Sequence, residues 1–377
     1  MVRKESSADK YKRNTNMITP NSHMNPVYGQ EEIDSVTDYI NSGGWIMEHT
    51  KTREMEQMIC DYTGAKYAHM VTSATTGLLV ASMVADIKPN ERFAVSAYTQ
   101  AATANGAILM GATPVIVDVD LSSYTIDFEN IPEDCRVVFV TSINGRYPDD
   151  AHKQIAKLRS EGRFVIEDSA QALGSWHEGK HIGTMGHLGI FSFGAPKIIT
   201  TGQGGCIITD DEELSKQIVA IKNFGRTVAV GEVYNVMGMN FKFTDIQAAV
   251  GVAQMKKLPG IVEHKKEIFD AYHDGLHDVC DFVYTDLKTT TPTYPEILVD
   301  NRDELATYLR ENGIGCRAVY YSLCDQPYHS QWKTPTPNTD YIAKMGLHLP
   351  GQADLTRDDV LSICDVVRTG LIECNKI

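Results

Sequence analysis

The chain has 377 residues, of which 42% are hydrophobic and 22% are charged, so it is long enough to bury a full core and to form one large and one smaller domain. Its formal net charge of −14 at pH 7 excludes nucleic acid and anionic membrane surfaces as expected partners, because an acidic surface repels both. No apolar run reaches the roughly 20 residues that a membrane-spanning helix needs. An anionic small-molecule substrate stays compatible with this charge, because a local basic pocket can bind one.

The N-terminus and the cysteines indicate a cytoplasmic protein. Residues 1–25 carry basic side chains with no apolar stretch behind them, which is unlike a secretory signal, and we interpret them as a mobile tail. The eight cysteines are scattered without a CxxC pair, and no histidine pair lies beside them at metal spacing. This pattern favours reduced thiols packed as small hydrophobes over disulfides or zinc, and we expect no metal site.

From about residue 29, helical periods alternate with short apolar runs. Two helices come first, in EEIDSVTDYINSGG and in KTREMEQMICDYTGA, and glycines end both of them. Five β-rich runs are typical of strands that are covered on both faces of a parallel sheet: HMVTS, RFAVSAY, TPVIVDVD, CRVVFVTSI and RFVIEDS. Helical stretches of crossover length lie between them, in TTGLLVASMVADI and DDAHKQIAKLRSEG. The pattern predicts an α/β sheet built of βαβ units.

The second half of the chain predicts a domain boundary. GIFSFGAPK and TGQGGCIITDD read as two more strands around a glycine-rich turn. The helix TDIQAAVGVAQMKKL is predicted to close a large domain over residues 26–258. A new helix after Pro259, IVEHKKEIFDAYHDGLHDV, is predicted to open a smaller α+β domain over residues 259–377.

Polar residues end one of the predicted strands, where α/β sheets bind ligands. Glu167, Asp168, Ser169 and Gln171 follow the apolar run RFVI. A carboxylate at a buried strand end needs a cationic partner or hydrogen bonds. The alternative is that Asp168 and Ser169 cap the next helix, and the residues by themselves favour this alternative.

Lys197 lies in an apolar, glycine-rich context in GIFSFGAPKIITTGQGG. A desolvated lysine has a depressed pKa and becomes the amine nucleophile that Schiff-base chemistry requires. Ser192 offers a hydroxyl nearby, and Gly204 and Gly205 allow close approach of the backbone. The alternative is a surface lysine beside a flexible turn, which periodicity does not reject.

The segment VTSATTGLL places small hydroxylic residues between a strand and a helix. Helix N-terminal amides with the hydroxyls of Ser73, Thr75 and Thr76 can bind a phosphate. Helix capping explains the same residues equally well. The Walker and dinucleotide-binding glycine patterns are absent.

Taken in order, these segments resemble the DegT/DnrJ/StrS family of aminotransferases, which have pyridoxal-phosphate (PLP) fold type I and act mainly on keto sugars attached to nucleotides. The resemblance runs from about Pro26 to the C-terminus and is carried by TSATTGLL, ATANGAILMGATPVIVDVD, VIEDSAQALGS, GIFSFGAPKIITTGQGG and GMNFKFTDIQAAVGVAQM. It implies an α/β fold with a large mixed-sheet domain and a smaller α+β C-terminal domain, PLP as cofactor, and a homodimer with its active sites at the subunit interface.

The resemblance also implies roles for single residues. Lys197 matches the Schiff-base lysine, and Asp168 matches the acid that pairs with the pyridine nitrogen. A protonated nitrogen makes the ring an electron sink, which is the physical reason for a carboxylate there. Gln171 matches the polar residue near the ring and its phenolic oxygen.

Other matches concern the phosphate group. Ser192, Ala74 and Thr75 match the residues that form the phosphate cup. Asn240 in GMNFKF resembles the residue that a second subunit donates to the phosphate, with Lys242 as the alternative.

The sequence departs from the family pattern at three places. Gln100 stands where the family usually has an aromatic residue stacked on the cofactor ring. Two alternatives are open: Tyr98 compensates, or another group covers the ring. Residues 142–146 stand where the family often has a His-x-Tyr-Gly stretch. Asn144, in this segment, is a candidate substrate contact. Gln203 replaces a common glutamate in the glycine turn.

The implied reaction is a ping-pong transfer of an amino group from an amino acid, glutamate by analogy, to a keto sugar, with Lys197 as general base and acid. A nucleotide diphosphate needs cations, for which Arg317 and Arg226 are candidates, although each can equally form a surface ion pair. Alternative functions are amination of a free cyclitol or other ketone and a non-catalytic scaffold or sensor. The Lys197 and Asp168 pair argues against the scaffold, and Lys197 argues against the family's sugar dehydratases, which carry histidine at this position.

Overall fold

The computed structural model describes residues 26–227 and 232–374, so the predicted tail over residues 1–25 lies outside the described residues. A seven-stranded sheet forms the centre of the molecule, and a separate two-stranded hairpin lies beside it. The sheet strands are β1 Tyr67–Val71, β2 Arg92–Ser96, β3 Thr113–Val117, β4 Val137–Thr141, β5 Phe164–Asp168, β8 Leu188–Ser192 and β9 Gly205–Thr209, and the hairpin strands are β6 Trp176–His177 and β7 Lys180–His181.

The strand order of the large sheet is β1-β9-β8-β5-β4-β2-β3. Strand β9 runs antiparallel to both β1 and β8, whereas the pairs β8–β5, β5–β4, β4–β2 and β2–β3 are parallel. The sheet is therefore mixed, and β5 lies near its middle. Because parallel strands end at the same edge, the carboxyl ends of β4, β5 and β8 meet where ligands bind.

Strand β4 shows why the apolar runs form this sheet. All five of its residues are buried. Val137 and Phe139 pack into the cluster formed with α3 Ala74–Val84 and α4 Ala102–Leu109. The alternate residues Val138 and Val140 pack into the cluster that contains Ile155 of α5 Ala151–Ser160. Side chains of a strand alternate between its faces, so a continuous apolar run predicts a strand covered on both sides.

Helix α7 corrects one prediction. The predicted break at Pro259 is wrong, because a single helix of 32 residues, Asp245–Leu276, continues through this proline. Proline removes one helix hydrogen bond, and burial of the flanking Leu258, Ile261 and Val262 offsets that loss. The boundary expected between residues 258 and 259 falls inside this helix and stays a prediction.

The two halves of α7 pack against different partners. The first half contacts α1 Gln30–Asn41 and α2 Thr50–Thr63, and the helix also contacts α10 Arg357–Cys374. The second half packs beside a three-stranded antiparallel sheet, whose strands lie in the order β10 Glu296–Leu298, β12 Gly346–His348 and β11 Arg317–Ala318. The remaining C-terminal helices are α8 Arg302–Glu311 and α9 Pro337–Met345. Helix α6 Glu212–Lys222 packs against strands β1 and β9 of the large sheet. Within the described parts of the chain, no helix has the length and apolar character needed to cross a membrane.

Candidate active site

Asp168 lies at the end of β5 and is only 5% exposed. Its Oδ2 atom accepts a hydrogen bond from the Thr103 hydroxyl at 2.6 Å, and its Oδ1 atom accepts one from the Ala170 amide at 3.2 Å. Burial raises the pKa of Asp168, and the Thr103 bond and the positive charge of Lys197 oppose this rise. A buried carboxylate of this kind is suited to pair with a cationic group.

Three hydroxyl groups stand in a row behind Asp168. The Thr103 hydroxyl is 2.7 Å from that of Thr99, which in turn accepts a hydrogen bond from Thr141 at 3.4 Å. The row fixes the orientation of the carboxylate. Sequence reasoning missed Thr103, although its spacing of four residues from Thr99, at the start of a helix, is a signal that the two side chains are neighbours.

The neighbouring acid, Glu167, has a structural role. Its carboxylate accepts hydrogen bonds from the amides of Gly183 at 3.0 Å and Met185 at 2.6 Å, and from the Tyr147 hydroxyl at 2.8 Å. The carboxylate therefore anchors the loop before β8. Of the two adjacent acids, only Asp168 bonds the threonine row and interacts with Lys197.

Lys197 lies in the segment between β8 and β9 and is partly exposed. Burial of its amine lowers the pKa of Lys197 to about 8; the charge of Asp168 opposes the shift, and the charge of Arg317 reinforces it. A large fraction of the side chain is therefore the neutral, nucleophilic amine in mildly basic solution. The structure thus brings together two residues that the sequence placed on separate segments.

The first turn of α3 forms a cradle with the first residue of β9. Ser73 is the N-cap, and its hydroxyl accepts a hydrogen bond from the Thr76 amide at 3.1 Å. A Cβ atom on Gly205 would lie 2.5 Å from the Ala74 nitrogen, so only glycine permits this close approach. Gly205 pairs with Ser192 of β8 in the sheet. Exposed Thr75 completes a site with helix N-terminal amides and hydroxyls, which suits a phosphate group.

Gln171 connects the large sheet with the C-terminal part of the chain. Its Oε1 atom accepts a hydrogen bond from the Asn144 amide at 2.9 Å, and its Nε2 atom donates one to the Tyr320 hydroxyl at 3.1 Å. The guanidinium of Arg317 lies over the Tyr320 ring, 5.5 Å from its centroid. Sequence reasoning missed Tyr320, which no local pattern distinguishes from the adjacent Tyr321.

The expectation that Tyr98 compensates for the missing aromatic residue is wrong. Tyr98 has no exposed surface, and its ring packs edge-on against Tyr124 and Tyr320. Gln100 is exposed, and its Oε1 atom accepts a hydrogen bond from the Ala102 amide at the start of α4. Its contact with a cofactor stays a prediction.

Asn144 is placed differently from what was expected. It is 1% exposed, and its side-chain amide donates to the Tyr294 carbonyl at 2.6 Å and accepts from the Tyr294 amide at 2.7 Å. Its neighbour Arg146 forms a buried ion pair with Glu296, each side chain being 3% exposed. Because both side chains are engaged inside the protein, the position of Asn144 does not support a substrate contact and indicates a structural role.

The two candidate arginines differ in location. Arg317 is exposed at its position over Tyr320, and its charge acts on Lys197. Arg226 forms an ion pair with the exposed Glu232 at 3.0 Å. Within the part of the chain that the structure describes, only Arg317 of the two interacts with the Lys197 site.

Asn240 and Lys242 lie beside the end of β1. The backbone of Lys242 pairs with Val71, and that of Asn240 pairs with Asn223. Asn240 is exposed, and the Lys242 amine donates a hydrogen bond to the Asn223 side chain at 3.3 Å. The Asn240 side chain accepts a hydrogen bond from the Lys242 amide at 3.4 Å, and its contact with a second subunit stays a prediction.

Together these groups fit PLP. The lowered pKa of Lys197 suits reaction with an aldehyde, and buried Asp168 suits a protonated pyridine nitrogen. The narrow approach of Gly205 to Ala74 leaves a cradle at the α3 N-terminus for the phosphate.

Known proteins match nearly the whole chain. The model of the DegT/DnrJ/EryC1/StrS aminotransferase family matches residues 26–368. The spore coat polysaccharide biosynthesis protein SpsC of Bacillus subtilis is 30% identical, over 91% of this chain and 95% of its own. GDP-perosamine synthase of Escherichia coli O157:H7 is 28% identical, over 91% and 97%. The crystal structure of the aminotransferase TlmJ from Streptoalloteichus hindustanus superimposes with a TM-score of 0.88 at 26% identity, over 94% of this chain and 100% of that chain. The chain therefore belongs to the DegT/DnrJ/EryC1/StrS aminotransferase family and is a PLP-dependent aminotransferase of fold type I.

Proposed function

We propose that this enzyme moves an amino group from an amino acid, L-glutamate in the first instance, to a nucleotide-linked keto sugar such as a 4-keto-6-deoxy sugar, giving an amino sugar for glycan biosynthesis. The observation that carries the proposal is the meeting of Lys197, Asp168 and Arg317 at one site. An amine, a buried acid and an exposed guanidinium suit transamination of substrates that carry carboxylate or phosphate groups. The names of two relatives, which mention GDP-perosamine and a spore coat polysaccharide, support the acceptor class.

In this proposal the chain's own residues divide the work. When bound, PLP supplies an aldehyde that reacts with amines and a ring that accepts electrons from the substrate carbon. The Lys197 amine takes up and releases the proton as general base and acid, for which a pKa of about 8 is well matched to neutral solution. Asp168, held by Thr103, stabilises a protonated nitrogen opposite its carboxylate.

Binding groups surround this pair. The amides of Ala74 and Thr75 and the Ser192 hydroxyl would hold the phosphate of the cofactor, since the N-terminal turn of a helix leaves N–H groups without partners inside the helix. Arg317 binds an anionic group of the donor or the acceptor, because its guanidinium is exposed beside the amine. Gln171 stays between Asn144 and Tyr320 and orients the wall of the site.

The working unit in this proposal is a homodimer. Asn240 lies next to an exposed apolar surface, and the pairing of Met47 with Thr244 brings a second apolar segment to it. Contiguous apolar surface of this kind marks protein interfaces. Its exposed apolar side chains are Trp45, Ile46, Met47, Val233, Tyr234, Val236, Met237 and Met239. Asn240 of one chain then contributes to the phosphate cradle of the other. All eight cysteines are free, which supports a cytoplasmic location.

The experiment uses the purified, PLP-loaded enzyme. We expect L-glutamate to abolish the visible absorbance of the cofactor and a nucleotide-linked 4-keto-6-deoxy sugar to restore it, with the amino sugar detected by mass spectrometry. Keto-cyclitols and simple ketones are tested in parallel. Amination of the cyclitol alone would replace the proposed acceptor class, and no absorbance change with any amino acid would indicate the non-catalytic alternative.

A further inference from the structure

A second cluster of reactive side chains lies away from Lys197. Among the described residues, His152, His177 and Glu178 form the only group of at least three potential metal ligands whose donor atoms all lie within 4.8 Å of one another. His152 belongs to the first turn of α5, His177 ends β6, and Glu178 lies in the turn that leads to β7. These elements are separate in the sequence, so no ligand spacing shows the cluster in advance.

The distances suit a bound ion. The Nδ1 atom of His152 lies 2.8 Å from Oε2 of Glu178, and the rings of His152 and His177 are 5.9 Å apart between centroids. Tetrahedral coordination with bonds of about 2.1 Å separates neighbouring donor atoms by about 3.4 Å. Glu178 has a side chain that is 53% exposed, so it can move by this small amount without disturbing the core.

His177 carries the clearest sign of a ligand. Its Nε2 atom is buried and has no hydrogen-bond partner, and the backbone of Asp149 forms a hydrogen bond with the imidazole side chain. Proteins orient metal-binding histidines in this way, with one ring nitrogen fixed by a carbonyl and the other directed at the ion.

The cluster is also accessible. His177 lines a cleft of about 400 Å³ together with Tyr147, Asp149 and Trp176. The Glu178 side chain is 53% exposed, so an ion can approach the cluster from solvent on that side, and a water molecule can complete its coordination.

We propose that His152, His177 and Glu178 bind a divalent transition-metal ion of the zinc class and so connect helix α5 to the β6–β7 hairpin. Two imidazoles and one carboxylate are a ligand set that zinc accepts, whereas magnesium and calcium prefer oxygen ligands alone. The ion lies outside the transamination site, so its role is to stabilise this part of the fold.

The test is calorimetric titration of the PLP-loaded, tag-free enzyme with ZnCl₂, after free cofactor has been removed. We expect one ion per chain with micromolar or tighter affinity, and at least about tenfold weaker binding in His152→Ala and in His177→Ala. Wild-type enzyme should also gain thermal stability on addition of ZnCl₂, and the two variants should not. CoCl₂ gives a second readout, because a visible cobalt absorption band reports coordination by nitrogen ligands.

His273→Ala is the matched control. His273 and His277 form the stacked imidazole pair on α7, with ring centroids 5.3 Å apart. Unchanged zinc binding in His273→Ala, with loss in His152→Ala, supports the proposal. Loss in His273→Ala instead, no binding of ZnCl₂ by the wild type, or full binding by a folded His152→Ala or His152→Gln variant would overturn it.

Discussion

The guanidinium of Arg317 lies close enough to Lys197 to lower the pKa of its amine, although the two residues are 120 positions apart in the sequence. Arg317 is in β11 of the small C-terminal sheet, whereas Lys197 follows β8 of the large one. The amine is therefore tuned by burial first, and then by Asp168 and Arg317 with opposite signs. Its reactivity depends on how the two parts of the chain meet.

Arg317→Ala should raise the pKa of Lys197. The wild-type apoenzyme should take up PLP covalently at a rate that rises with pH through a midpoint of about 8, because the neutral amine reacts. Loss of the Arg317 charge moves this midpoint upward, whereas Arg317→Lys keeps it. The measurement is the rate of absorbance change against pH, with Arg357→Ala as a surface control. An unchanged midpoint in Arg317→Ala would show that the two charges do not interact.

Lys197→Ala should abolish transamination and leave the fold intact. The amine that reacts with the aldehyde and moves the proton is lost, so the rate falls by at least about a thousandfold. Activity with L-glutamate and an acceptor is measured beside circular dichroism, and Lys180→Ala, an exposed lysine of β7, is the control. Near wild-type turnover in the variant would remove Lys197 from the reaction.

Asp168→Asn should retain PLP but lose about a hundredfold or more in turnover, because an uncharged side chain no longer holds a protonated nitrogen. In the apoenzyme, by contrast, the same substitution should increase thermal stability. Burial raises the pKa of Asp168 above 3.8 in the folded state, so the ionised carboxylate destabilises the fold as pH rises through and above that range. The apo variant should therefore melt a few degrees above the wild type at pH 7, and the difference should vanish near pH 4. A lower melting temperature at pH 7 would contradict this.

Arg146→Met should destabilise the protein by about 3 kcal/mol, the low end of the cost of breaking a buried ion pair. Glu296 would keep two partners, because His348 and the Asn144 side-chain amide each lie 3.4 Å from its carboxylate. Urea unfolding measures the change, and Arg357→Met, which breaks only exposed pairs, should cost under about 0.5 kcal/mol. The double variant Arg146→Met, Glu296→Leu should recover part of the loss. Equal costs for the buried and exposed variants would refute the assignment.

Asn240→Ala tests the shared active site. Mixing a Lys197→Ala chain with an Asn240→Ala chain should give heterodimers in which one site carries both native residues. Both substitutions then fall in the second site of the heterodimer. Activity should rise above that of either parent, because the first site has native Lys197 from one chain and native Asn240 from the other. If heterodimers form and Asn240→Ala alone is impaired, an absence of recovery would assign Asn240 to the site of its own chain.

The sequence predicted those parts of the structure that depend on local pattern. The apolar run VVFVT became a central strand, and the context of Lys197 and Asp168, together with the family resemblance, indicated the reacting pair. The bond between Thr103 and Asp168 joins residues that are 65 positions apart, and no local signal shows such a partner. The prediction of a break at Pro259 failed because proline usually ends helices, whereas burial of the flanking side chains keeps this helix continuous. The prediction that Asn144 contacts substrate rested on its position in the sequence alone. Only the fold shows that its side-chain amide bonds the Tyr294 carbonyl instead.

Helix α7 contributes side chains to the hydrophobic clusters of both parts of the chain. With 32 residues it is about 48 Å long. Leu258 and Val262 share a hydrophobic cluster with Ile198 and Ile199, the residues that follow Lys197, and Tyr272 farther along belongs to the C-terminal cluster. The helix therefore connects the C-terminal core to the cluster that contains the backbone next to the reactive amine. The two cores should melt in a single cooperative transition, and catalysis should be lost at the same temperature as the small sheet.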